Sequence, residues 1–188
     1  IEALLTIPSF KLSATFGYSL LNNQIFYDKT GEISQHNGLM NIMAASLNYN
    51  FKLSNFHFHN RLLLQLTSEA SVVPLPLLSA NLRYFFQFNV VKNVMAMQLG
   101  ADVTYHTKYY APAYNPATGQ FHTQDEREIG NVPYIDVFVN IQWKKAAILI
   151  KYLNTAQGWP SGDYFSAHHY TAPRRAIQFG INWPFYVK

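Results

Sequence analysis

His57 and His59 stand two residues apart in a segment with the alternation of a strand, so both imidazoles fall on one face about 7 Å apart. That spacing suits a shared metal ion once further ligands arrive. No third ligand is marked in the sequence, and a polar, hydrated surface is the better reading of the pair. His168 and His169 are adjacent in a loop rich in Ser, Gly and Asp, where neighbouring side chains diverge, and a surface turn is expected there. A Ser–His acyl-transfer pair would need a nucleophile beside His57 or His106, and no motif selects a serine. The acidic run Asp125-Glu126-Arg127-Glu128 offers oxygen ligands to a cation or a partner, but with an arginine among the acids it reads as a solvated loop tip. Arg174-Arg175 open the last strand, placed to meet lipid headgroups or loop carboxylates. The chain has no cysteine, which removes disulfides, thiol catalysis and cysteine-ligated zinc. No resident metal, cofactor or enzyme activity is expected.

The elements that carry these residues are identified by hydrophobic period. Apolar residues recur at every second position, not at helical spacing, over segments 10–20, 43–51, 56–67, 78–89, 97–106, 134–143, 148–152 and 176–185. Asn60 and Leu63 break the alternation in the third. About eight strands result, most of them longer than the five or six residues usual in globular sheets. Tight two-residue turns at Ser54-Asn55, Lys92-Asn93 and Lys144-Lys145 alternate with long links near 28–37, 68–76, 111–131 and 156–173. An antiparallel up-and-down sheet sorts short and long connections to opposite ends in this way.

Composition decides which face is wet. Charged residues make up only 13% of the 188-residue chain, too few to cover the outside of a soluble barrel, whereas a hydrated lumen lined by Ser, Thr, Asn, Gln and Gly needs few. Aromatics gather near strand ends (Tyr49, Phe51, Phe56, Phe58, Phe86, Phe88, Tyr105, Trp143, Trp183, Phe185), as in the headgroup-level girdles of membrane barrels. Strands of 9 to 11 residues match the length needed to cross the hydrocarbon at a tilt. No apolar run is long enough for a spanning helix; Ala146-Ala147-Ile148-Leu149-Ile150 stops after five residues. A formal charge of +4, scattered along the chain, argues no nucleic-acid surface. The expected fold is therefore all-β: a transmembrane antiparallel up-and-down β-barrel of about eight strands. Residues 1–188 form either a single barrel domain or the C-terminal segment of a larger one, and the small polar-face residues Ser13, Gly17, Ser46, Ser79, Gly100 and Gly180 favour the wider barrel. Leu47, Leu64, Leu82, Val103, Val139 and Ile181 are expected to meet lipid. The expected pore-lining set is Lys11, Lys52, His57, His59, Arg61, Arg83, Asp102, His106, Asp136 and Lys151, in which lysine and arginine outnumber aspartate and favour anions.

The stretch from Leu99 through Asp102-Val103-Thr104-Tyr105-His106 and Tyr109-Tyr110-Ala111-Pro112-Ala113-Tyr114-Asn115-Pro116 to Phe121 resembles the Bacteroidetes-type putative porin family. So do Glu128-Ile129-Gly130-Asn131, Pro133-Tyr134-Ile135-Asp136-Val137-Phe138, Gly158-Trp159-Pro160, Asp163-Tyr164-Phe165-Ser166-Ala167-His168-His169-Tyr170 and Phe179-Gly180-Ile181-Asn182-Trp183-Pro184-Phe185. The resemblance covers roughly the last half of the chain, the first half matching only as alternating strands. It implies a Gram-negative outer-membrane β-barrel, a signal-bearing precursor and a parent chain several times longer, with no characterised solute. Together these readings give a porin-like passive channel or an outer-membrane scaffold component, with a lipid-acting barrel enzyme as the alternative. Its partners would be outer-membrane lipid, small hydrophilic solutes and protein subunits of an outer-membrane complex.

Overall fold

A computed structural model describes residues 1–160, 162 and 165–184. Its strands in chain order are β1 (Glu2–Ile7), β2 (Leu12–Asn22), β3 (Ile25–Tyr27), β4 (Ile33–Gln35), β5 (Leu39–Leu53), β6 (Phe56–Thr67), β7 (Leu78–Val91) and β8 (Met95–His106). There follow β9 (Ala113–Asn115), β10 (Gln120–His122), β11 (Tyr134–Trp143), β12 (Ala146–Leu153), β13 (Phe165–Ala167), β14 (Tyr170–Thr171) and β15 (Ala176–Asn182). Nine of them form one sheet in the order β1-β2-β5-β6-β7-β8-β11-β12-β15, each antiparallel to its neighbour. The other six pair as hairpins inside the long links. No helix among the described residues is long and apolar enough to cross a membrane, which says nothing of crossing by strands.

The alternation expected from sequence is carried across the sheet, with one register shift, at the turn end of β7 and β8. One row reads Ser13, Asn48, Arg61, Asn81, Thr104 and Tyr134 on successive strands, and a row on the opposite face reads Ala14, Leu47, Leu62, Ala80 and Tyr105. A second apolar row reads Phe88, Met97, Ile141, Ile148 and Ile181. The apolar face is the exposed one: Phe56 is 50% accessible, Leu64 49%, Phe179 62% and Ile181 59%. On the other face Asp136 and Phe138 are 6% and 4% accessible. The sheet is inside out relative to a soluble protein, which would hide its leucines and wet its aspartates.

Asn60 and Leu63, the two breaks in alternation, sit on the faces their positions dictate. Asn60 lies on the apolar face and is satisfied there: its amide donates to the Tyr49 carbonyl at 3.0 Å and its carbonyl oxygen accepts from the Tyr84 hydroxyl at 2.8 Å. Both halves of its amide are therefore paired within the protein. Leu63 stands between Ser46 and Ser79 on the polar face.

Turns at Ser54-Asn55 and Lys144-Lys145 form as expected, with Ser54 at φ 54° and Lys144 at φ 51°. The third is a residue longer: Lys92–Val94 form the turn, Asn93 takes φ 60°, and a bulge between Asn89 and Val91 absorbs the extra residue. Two differences occur at the start of the chain. Pro8–Phe10 form a turn of 3-10 helix closed by Lys11 in the left-handed region (φ 49°), so the second strand begins at Leu12 and not at residue 10. Before it runs an additional strand, β1, whose sequence EALLTI places Leu4 opposite Thr15 on the polar face and therefore shows no clean alternation. The last strand, read from sequence as reaching Phe185, is described to Asn182, and Phe185 lies outside the described residues.

Beyond the sheet, the long links pack on one another. The Thr123 N–H donates to the Tyr27 carbonyl at 3.0 Å, joining the β9–β10 loop to the β3–β4 hairpin. Tyr114 meets Tyr170 edge-on at 6.1 Å, joining it to the β13–β14 hairpin. Several of the most buried residues, Val72, Ala111, Ala113, Thr123, Gln124 and Ile129, lie in these links and not on the nine-stranded sheet.

Candidate functional site

The polar face gathers its charge where β7, β8, β11 and β12 lie side by side. Asp102 on β8 faces Arg83 on one neighbour and Asp136 on the other. Arg83 grips Asp102 with two parallel hydrogen bonds, Nε to Oδ1 at 2.6 Å and Nη2 to Oδ2 at 2.9 Å. Lys151, a strand further on, reaches Asp102 at 3.0 Å and Asp136 at 2.8 Å. The other oxygen of Asp136 accepts the Asn154 N–H at 2.8 Å. Asn154 is fully buried, ends β12 at φ 55° and had no signal in the sequence, because it acts through a contact with Asp136 eighteen positions earlier. Asp136, Lys151 and Asp102 line one wall of a cavity of about 500 Å³, and Asn48, His59, Arg61 and Asn81 line another. Arg61 donates to Asn48 at 3.0 Å, a neutral partner, so it keeps its net charge on this face.

The expected pore-lining residues fall into three groups. Arg83, Asp102, Asp136 and Lys151 converge as described, with Arg61 lining the same cavity. Lys52, His57 and His59 share the polar face toward the short turns, Lys52 opposite His57 and His59 between Asn50 and Arg83. His57 stacks on Phe85 at 4.6 Å with the rings 7° from parallel, and His59 meets the same ring edge-on at 5.4 Å. The two imidazoles are thus turned toward an aromatic ring between them. Lys11 and His106 stand at opposite ends. Lys11 is not on the strand face as expected, because Pro8 starts a turn; its carbonyl accepts the Asn50 N–H at 3.1 Å, which sets it at the rim level with Asn50. His106 lies opposite Ser79 at the long-loop end, edge-on to Tyr109 at 5.6 Å.

Small residues do not all leave room. A Cβ on Gly100 would stand 2.5 Å from Phe85 Cβ and 2.7 Å from Phe138 Cζ, so the space its missing side chain vacates is filled by rings. Around Gly17 and Gly180 the nearest atoms are 3.9 Å away, as expected of an open face. The Arg83 guanidinium lies 5.2 Å from the centre of the Phe138 ring, so these aromatics support the charged cluster from beneath.

In the cap, the acidic run is exposed but is more than a solvated tip. Asp125 pairs with Lys29 of the β3–β4 hairpin, Glu126 approaches His168, and Arg127 lies 3.8 Å over the Phe165 ring. Gln124, buried beneath, fixes the loop by donating to the Ala111 and Arg127 carbonyls and accepting from the N–H groups of Glu126 and Arg127. Arg175 donates to the carbonyls of Thr155 and Gln157. Lys29 beside Asp125 holds that carboxyl below its ordinary value, and the Thr30 hydroxyl does the same for Asp28. A depressed folded-state value means that the Asp125 contribution is complete above the ordinary carboxylate range and disappears as pH falls through the depressed value. Loop–loop contact should therefore loosen below about pH 4. Protection factors of the amides in residues 120–128 should fall there in the wild type, and an Asp125→Asn variant should already show low protection at pH 6.

No curated protein and no solved structure matches the chain. A family model described as "Putative porin" matches residues 1–187, extending over the first half as well as the second the likeness read from the C-terminal motifs. An all-β chain whose long antiparallel strands form one sheet, apolar on the exposed face and polar on the other, accords with that description. The chain belongs to the putative porin family.

Proposed function

We propose that the nine-stranded sheet is the wall of a transmembrane β-barrel in the bacterial outer membrane, that it acts as a passive channel for small hydrophilic solutes, and that it carries no enzyme activity. The observation that carries the reading is the inversion of the two faces: an exposed apolar surface runs across the strands, while lysine, arginine and aspartate gather opposite. In a bilayer the apolar face meets acyl chains and the polar face meets water. The short turns then face the periplasm, and the packed long loops stand at the outer mouth. Lipid cannot hydrogen-bond a strand edge, so β1 and β15, at the two ends of the sheet order, pair in the membrane with each other or with further strands.

The charge arrangement supports anion preference. Arg83 and Lys151 are matched by Asp102 and Asp136, which leaves Lys52 and Arg61 on the face and Lys11 at its rim against Glu2 opposite Gly17, an excess of positive charge. Such an excess raises anion concentration in the path when it lies within a Debye length of it, about 8 Å at physiological salt. Planar bilayers with the purified full chain should show stable conductance steps and a reversal potential of anion-selective sign across a KCl gradient. Arg61→Gln with Arg83→Gln should move that potential toward zero, and Asp102→Asn should move it away. Absence of conductance, or cation preference in the wild type, would contradict the proposal.

A further inference from the structure

In the sequence, His168 and His169 read as adjacent side chains that diverge. The structure brings them together. His169 adopts φ 67° at the turn between β13 and β14, and the left-handed backbone swings the two rings to within 3.7 Å, centre to centre. Glu126 arrives from the other long loop, and its Oε2 stands 3.1 Å from His168 Nε2. One donor atom from each of Glu126, His168 and His169 lies within 4.8 Å of the others. Both ring nitrogens of His168 are shielded from solvent, yet neither makes a hydrogen bond among the described residues. The short contact with Glu126 is thus a close approach without the alignment of a hydrogen bond. Two donors aimed at a common third atom have this relation to each other, and a buried imidazole with idle nitrogens otherwise incurs a desolvation cost with no return.

We propose that Glu126, His168 and His169 form a binding site for a divalent late transition ion of the zinc class, which clamps the β9–β10 loop to the β13–β14 hairpin over the mouth of the sheet. The donor chemistry selects the class. Two imidazoles and one carboxylate suit zinc and its late first-row neighbours, whereas calcium and magnesium take oxygen ligands. Distances fit as well. A tetrahedral ion with ligand bonds of 2.0–2.2 Å holds its donors about 3.4 Å apart, so the Glu126–His168 pair needs almost no adjustment. His169 is exposed and has to close by about 1.5 Å at most. Three protein ligands leave one position for water. Glu126 is largely open to solvent, which supplies the entry path. The supporting contacts are already in place on both sides: Gln124 accepts the Glu126 N–H at 2.9 Å, and Arg127 lies over Phe165 next to the hairpin. The site stands on loop geometry alone and does not depend on whether the sheet conducts.

The test uses the full chain folded in detergent, stripped with a chelator and titrated calorimetrically with Zn²⁺. One equivalent should bind, with no heat from Mg²⁺. Glu126→Gln and His168→Ala should each weaken binding at least about tenfold, the effect expected of losing a ligand or its close support. Zinc should also slow proteolysis of the 107–133 loop in the wild type and leave the Glu126→Gln protein unprotected. Glu126→Gln changes an exposed side chain, so it separates loss of a ligand from loss of folding. The proposal is overturned if the wild type binds no zinc, if both variants bind as the wild type does, or if binding is lost in His57→Ala with His59→Ala instead.

Discussion

Arginine in place of Leu82, Val103 or Val139 is expected to cut the yield of folded, membrane-inserted protein severely, while arginine at Gln65 or Gln178 should be tolerated. The two groups lie on strands of the same sheet but on opposite faces of it. Leu82 faces Val103, which faces Ile135 in turn, in a row that Asn60 continues on the far side of Leu82, and Val139 faces Leu99 and Ile150 in a wholly apolar row. Gln65 faces Ala44 and Gln178 faces Lys151 on the other side. At mid-depth on a lipid face arginine costs about 2 to 4 kcal/mol, decreasing toward the interfaces. Stability of outer-membrane barrels is counted against the same small margins as that of other proteins, so a cost of this size is decisive. Refolding into lipid vesicles, scored by heat-modifiable gel mobility, should separate the groups cleanly. Equal yields would mean that the exposed apolar face does not meet lipid. Serine in place of Asn60 adds a control, because Asn60 is the polar side chain on that face with both amide groups occupied by Tyr49 and Tyr84. Losing those bonds should cost stability even though the new side chain is smaller and neutral.

The strands and their faces were legible in the sequence because a sheet with one wet and one dry side imposes a period of two over its whole length. Turns were legible where residues such as Asn93 tolerate a left-handed backbone. Legibility failed wherever the determining contact is long-range. β1 has six residues of mixed character and is held by its pairing with β2, which no local pattern announces. Gly100 read as empty space, and the ring that fills it belongs to Phe138, on the neighbouring strand but far along the chain. Asp125 read as solvated because its partner, Lys29, lies in a different loop. The charges of the polar face could be placed on their side but not paired: alternation assigns Lys151 to the same face as Asp136, whereas the reach of its side chain across a strand to Asp102 is a property of the folded sheet.

That reach makes Lys151 the residue on the polar face whose removal should matter most to stability. Asp102 and Asp136 face each other directly across β8 and β11, an arrangement that like charges disfavour. Lys151 lies within 3.0 Å of both, and the three side chains are only 19%, 21% and 9% accessible. Arg83 balances Asp102 but is half exposed and stands on the far side from Asp136. Methionine at 151 keeps most of the packing volume and removes the charge, leaving Asp136 with the Asn154 N–H at one oxygen and no cation at the other. Breaking a buried pair by removing one partner costs about 3 to 5 kcal/mol; with water on one side of this cluster, about 2 to 3 kcal/mol is the expected loss. The second carboxylate supplies the control. If repulsion and an orphaned charge are the cause, Lys151→Met combined with Asp136→Asn should recover more than half of the loss, whereas Lys151→Met combined with Arg83→Gln should be worse than either alone. Urea unfolding in detergent micelles, followed by tryptophan fluorescence, measures the wild type, the three single variants and the two double variants on one scale. A Lys151→Met variant as stable as the wild type would show that the two aspartates do not depend on it, and additive effects in the double variants would show that the cluster does not act as one network.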